Sequence, residues 1–183
     1  MLFEEKTITL KNGKSCLLSP ADPHRAADMI EYLRTVSGET EFLLRYPDEV
    51  TFTEEKERKI LENKINSPRE LMMNALIDGE IGGNCSVSSR GEPRRIRHSC
   101  EFAIALKKKF WHLGLGTAMM EYALELAEQM GYEQIGLCVV EGNEAAKSLY
   151  EKMGFQATGK NPRVFKYDDG SYRDEFIMVK FFK

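Results

Sequence analysis

Apolar residues recur at helical spacing most clearly in the second half of the chain. Leu115, Ala118, Met119, Tyr122, Leu126 and Met130 lie three or four apart, the period that lines one face of a helix. This predicts an amphipathic helix of about four turns, closed at Gly131, a residue that tolerates a left-handed cap. In "PHRAADMIEYLRTV", Ala26, Ile30 and Leu33 repeat the pattern behind Pro23, which suits a first turn. Thr53 is placed to cap a charged helix, "EEKERKILENKIN", closed near Pro68, and "NEAAKSLYEKM" predicts a short helix ending at Gly154. Elsewhere apolar residues alternate or run together, as in strands. "TITLKNGKSCLL" holds Asn12-Gly13 between two such runs, a hairpin signal. "LMMNALIDGEIGGNCSVSS" predicts two strands turning at Asp78-Gly79. "SCEFAIAL" is so continuously apolar that burial on both faces is expected, and "QIGLCVV" and "DEFIMVKFF" add two strands more. "SGETEFLLRYPDEV" reads as a loop or a short helix, and "RGEPRRIRH" as a polar turn. Without repeats or linkers, strands and helices alternate around a strand–helix–strand–helix centre. That order predicts a mixed α/β fold, and 183 residues fit a single domain over 1–183.

Composition narrows the function without naming it. The formal net charge is −3 and charged residues make up 30% of the chain, which gives no electrostatic case for nucleic acid or an anionic membrane. "MLFEEKTITL" lacks a basic segment followed by a long apolar run, so neither a signal peptide nor a membrane span is expected. Cys16, Cys85, Cys100 and Cys138 are far apart, with no CxxC. The expectation is four buried free thiols in a reducing cytoplasm and no metal site.

The long helix opens on "FWHLGLGT", with Gly114 and Gly116 just before or within its first turn. A strand, a glycine loop and a helix in succession expose unpaired backbone amides at the positive end of the helix dipole, which together bind anions. Glycine lets the backbone approach a phosphate without a Cβ in the way, and the Thr117 hydroxyl is a further donor. Two nucleotide motifs are excluded. A P-loop needs Gly-Lys-Ser/Thr, where Thr117 and Ala118 follow Gly116; a dinucleotide fingerprint needs a third glycine where Met119 stands. On spacing alone, a phosphate site and a merely tight strand-to-helix turn both remain open. Downstream, Asn143 and Tyr150 are seven apart and so share a helix face, with Ala146 between them, small enough to admit a ligand chain.

From Glu101 to Phe155 these pieces together resemble the central region of the GCN5-related N-acetyltransferase (GNAT) superfamily: "EFAIAL", "WHLGLGT", the long helix, "IGLCVV" and "N-x6-YEKMGF". The closing "RVFKYDDGSYRDEFIMVKFF" is similar to bacterial members in which two terminal strands complete the sheet. The resemblance implies a central, largely antiparallel twisted sheet flanked by helices. One departure is Trp111, which stands where the family loop usually has Arg or Gln. Lys107 to Lys109 either replace part of that charge or form a solvated face.

By resemblance, the cofactor is acetyl-CoA, lying between the strand that ends at Leu106 and the strand that ends at Val140. Its pantetheine amides would pair with the main chain of Ile104, Ala105 and Leu106. Its pyrophosphate would sit on the amides of His112, Leu113, Gly114, Leu115, Gly116 and Thr117, with Asn143 and Ala146 beside the arm. A neutral primary amine, of a small molecule or a peptide, would attack the thioester directly. Tyr150 matches the tyrosine that protonates the leaving thiolate; a phenol, with a pKa of roughly 10, suits that task. The other reading is that Tyr150 only packs under the cofactor. Glu101, the carboxylate of its strand, is the candidate base, against a strand-end glutamate in solvent; His98 and His112 are rivals. The acceptor wall would be "VSGETEFLLRYPDE", where Glu39, Glu41, Asp48 and Glu49 either attract a cationic amine or form a solvated loop. A monomer or homodimer is expected. The rival class is a coenzyme-A-binding sensor or interaction module without turnover.

Overall fold

The computed structural model describes residues 1–182. Eight strands form one open sheet: β1 (Lys6–Thr9), β2 (Ser15–Pro20), β3 (Leu71–Ile77), β4 (Glu80–Ser89), β5 (Ser99–Leu106), β6 (Gln134–Val140), β7 (Gln156–Lys166) and β8 (Tyr172–Phe181). Their order is β1-β2-β3-β4-β5-β6-β8-β7. Every neighbouring pair is antiparallel except β5 and β6. Among the described residues four α-helices accompany the sheet, α1 (Ala26–Glu39), α2 (Glu54–Asn66), α3 (Leu115–Gln129) and α4 (Glu144–Lys152), with three short 3-10 turns.

Side chains alternate across a strand, and the two faces carry separate cores. On one face Met119, Met120, Ala123 and Tyr150, from α3 and α4, pack with Cys100, Phe102, Ile135 and Leu137 of the sheet. On the other, Met29, Tyr32 and Val36 of α1 and Leu61 of α2 pack on Ile81, with Ala105 at the margin. The Thr53 hydroxyl accepts from the Lys56 amide and starts α2, as its position suggests. Gly131 and Gly154, at φ +81° and +90°, follow the ends of α3 and α4.

Two expectations fail here. β5 is not buried on both faces: Glu101 and Ala103 are exposed, because the α1–α2 layer reaches only the Ala105 end of the strand. Cys138 of β6 is exposed, whereas Cys16, Cys85 and Cys100 are buried; it shares the uncovered face with Ile177 of β8, its partner across the ladder.

The feature that positions the site is a fork. β5 and β6 pair over three rungs only, Ser99↔Gln134, Cys100↔Ile135 and Glu101↔Gly136. Beyond them β5 stays with β4 as far as Leu106, and β6 stays with β8 as far as Val140. Two strand edges thus face each other without a strand between them.

Candidate active site

The fork lies beside the glycine loop. The loop turns through left-handed residues at His112 (φ +61°) and Gly114 (φ +84°) before α3 begins. At Gly116 a Cβ would lie 3.2 Å from Leu106 and 3.4 Å from Leu149. The first turn of α3 thus packs closely on the Leu106 end of β5 and on Leu149 of α4. The first intrahelical bond runs from the Ala118 amide to the Gly114 carbonyl, and no side chain caps the helix. The amides of Leu115, Gly116 and Thr117 are therefore unpaired by helix geometry. Among the described residues the amides of His112, Leu113 and Gly114 find no acceptor either. Six consecutive N–H groups at and before a positive helix end are thus without partners, an arrangement that suits an anion. Of the nearby lysines, Lys107 and Lys109 both pair with Glu80, while the Lys108 backbone amide donates to Glu39 at 2.6 Å and the Lys11 side chain passes beside Gly114.

Trp111, in the place of the usual Arg or Gln, donates its indole Nε1–H to the Leu106 carbonyl at 2.9 Å. Asn143 is the N-cap of α4, its Oδ1 accepting from the Ala146 amide at 3.3 Å. Tyr150 is 7% exposed. Its ring packs against Phe155, and its hydroxyl makes no hydrogen bond to the described residues. Burial pushes its phenol up to about 12. Glu101 stands at the last rung of the fork, exposed and 3.4 Å from Arg90. By alternation along β5 it lies on the face opposite Phe102 and Ile104, whose side chains join the core that holds Tyr150.

Where the acceptor wall is expected, the loop after α1 is tied to the β7–β8 turn. The Tyr167 hydroxyl donates to the Glu41 carbonyl at 3.0 Å, the Asp168 amide donates to the Tyr46 hydroxyl at 3.1 Å, and Arg173 pairs with the Glu41 carboxylate at 2.6 Å. A small cleft of about 60 Å³ lies between them, lined by Leu43, Leu44, Tyr46 and Phe165 among others. Three of the four acidic residues expected to face an amine are thus engaged: Glu39 by Lys108, Glu41 by Arg173, and Glu49 by the Tyr46 amide. A larger concavity, about 410 Å³, opens between residues 1–6 and α3 and includes no fork or loop residue.

The model of the acetyltransferase (GNAT) family matches residues 37–155, more than half of the chain, including β5, β6, the glycine loop, α3 and α4. The chain belongs to the GNAT family. An acetyltransferase of this family from Streptococcus pneumoniae is 30% identical, with a TM-score of 0.87 over 91% of this chain and 99% of that one. A putative acetyltransferase from Salmonella typhimurium, solved with its cofactor acetyl-CoA, shares the fold at 17% identity and a TM-score of 0.80, over 92% of this chain and 94% of that one. In Escherichia coli K12, the ribosomal protein bS18-alanine N-acetyltransferase is 32% identical over 78 residues, 43% of this chain. The chain spans about half the length, or less, of the curated relatives it matches. In this family member no group of three or more His, Cys, Asp or Glu is placed to hold a metal ion among the described residues. No helix among them is long and apolar enough to cross a membrane.

Two residues that touch the site, Tyr32 and the indole of Trp111, were not legible in the sequence as hydrogen-bonding groups. The faint signal for the first is a tyrosine where a buried helix face needs only a phenylalanine, since a buried phenol usually finds a partner.

Proposed function

We propose that the chain is an acetyl-CoA-dependent N-acetyltransferase, working as one domain over residues 1–183 on a primary amine of a small molecule or peptide. The observation that carries this reading is the fork between β5 and β6 opening beside six unpaired amides. An extended arm with two amide groups suits the first, and a pyrophosphate suits the second. Acetyl-CoA supplies an activated acyl thioester. The amides of residues 112–117 hold its pyrophosphate, and β5 pairs with its arm as with an added strand. Asn143, whose Oδ1 is spent on α4, keeps its NH₂ for that arm.

In the reaction the amine nitrogen forms a bond to the acyl carbon and the carbon–sulfur bond breaks. Tyr150 gives its proton to the departing sulfur. With its phenol pushed up to about 12, it stays protonated at neutral pH and serves as acid rather than base. Glu101, on the other face of the sheet, takes the amine proton through water. The acid and the base then approach the fork from opposite sides.

The test is release of free thiol from acetyl-CoA over a library of amines and peptides. Amine-dependent release with one class of acceptor supports the reading. Coenzyme binding with no release over the whole library counts against turnover and leaves a binding module.

A further inference from the structure

Two successive carbonyls at the end of β5 are taken by side chains rather than by a strand. The Tyr32 hydroxyl donates to the Ala105 carbonyl at 2.6 Å and accepts from the Asn84 amide at 3.0 Å. Asn84 and Ala105 face each other across β4 and β5. The hydroxyl therefore sits inside the ladder, where a direct amide–carbonyl bond belongs. The next carbonyl, Leu106, accepts from the Trp111 indole.

Successive residues of a strand turn their backbone groups to opposite sides. The Lys107 amide bonded to the Gly82 carbonyl fixes that phase. Lys107, Ala105 and Ala103 face β4, and Leu106 and Ile104 face the fork. Ala105, expected with its neighbours to pair with the arm, thus turns its backbone groups away from the fork. Pairing with β6 has ended at Glu101. The fork-facing groups left over near the end of β5 are the N–H and C=O of Ile104 and the N–H of Leu106.

We propose that Tyr32 and Trp111 are positioning residues that set the register of the pantetheine arm. Tyr32 holds the end of β5 in one pose from the β4 side, through the Ala105 carbonyl, and Trp111 takes the fork-facing Leu106 carbonyl, which leaves Ile104 and the Leu106 N–H as the arm's pairing groups. Tyr32, 1% exposed, ties that pose to α1. Trp111 ties it to the loop that carries the anion cradle, so the arm and the pyrophosphate are met at a fixed spacing. The proposal rests on the coenzyme site proposed above.

Two ligands separate this role from a general structural one: coenzyme A, and adenosine 3′-phosphate 5′-diphosphate, which has the same nucleotide end without the arm. Both are titrated by calorimetry into wild-type protein, Tyr32→Phe and Trp111→Phe. Each variant should bind coenzyme A about tenfold more weakly, the scale of one displaced hydrogen bond, and the armless nucleotide within about twofold of wild type. Equal weakening of both ligands, or unchanged or tighter binding of coenzyme A, overturns the proposal. Tyr32→Phe leaves buried polar groups to re-pair; where it does not fold, Trp111→Phe alone decides. Wild-type protein that binds neither ligand overturns the coenzyme site itself.

Discussion

The acid role proposed for Tyr150 can be tested on one atom. Replacing it with Phe removes the hydroxyl and keeps the ring against Phe155. The turnover number should fall by roughly 10²–10⁴-fold, the usual range for a positioned acid, with acetyl-CoA affinity within a few fold of wild type, the pattern of an interaction made in the transition state. Equal losses in turnover and affinity would reassign the hydroxyl to binding. The pH profile gives a second check. Burial places the phenol near 12, so Tyr150, acting as the proposed acid, would stay protonated as the acceptor amine loses its proton. Wild-type turnover should rise with pH and show no descending limb below about pH 11, whereas an ordinary tyrosine, titrating near 10, would impose one earlier. Stability moves the other way. A raised folded-state value means that the contribution is full below the unfolded pKa and is lost as pH rises through the folded one. Asn143 and Tyr150 could be read from spacing because both belong to one short helix. Tyr32 could not: its partner Ala105 is 73 positions away, and no local pattern encodes which strand a helix face will meet.

At the scale of the element, the glycine loop makes the clearest demand. Gly114 holds φ at +84°, a conformation that costs a β-branched residue on the order of 1–3 kcal/mol. Gly114→Val should abolish measurable binding of coenzyme A and of its armless nucleotide alike, while circular dichroism still reports a folded protein. Retained nucleotide affinity would move the pyrophosphate elsewhere. Elements with strong signals were legible: α2 runs from Glu54 to Asn66, as Thr53 and Pro68 suggest, and the turns at Asn12-Gly13 and Asp78-Gly79 join the strands expected. β5 misled because a run of apolar residues tells that a strand is buried, not which layer stops short of it. β7 escaped the pattern altogether. Residues 156 to 164 are all exposed, so no apolar period marks them, and only the family resemblance anticipated a strand there.

For the whole molecule, the cysteines report cooperativity. Cys16, Cys85 and Cys100 are buried in β2, β4 and β5 of one continuous sheet. Cys138 is exposed, with its thiol pushed up to about 11 by burial first and by Glu175 next. Native protein should therefore give one slow thiol equivalent to a disulfide reagent near neutral pH, and the other three together on unfolding. Release of those three in separate steps would mean that the sheet does not melt as a unit. The fork has its own consequence at this scale. An open sheet normally has two outer edges, each a template for a stray strand from another molecule; this one has four. The outer edge at β7 is guarded by Pro162 and by Arg163, which bends it with a φ of +55°. The two inner edges need no such guard. They diverge from the last shared rung, Glu101↔Gly136, within the sheet rather than at its rim. Unpaired strand placed inside a sheet, rather than along its rim, is out of reach of a neighbouring sheet's edge.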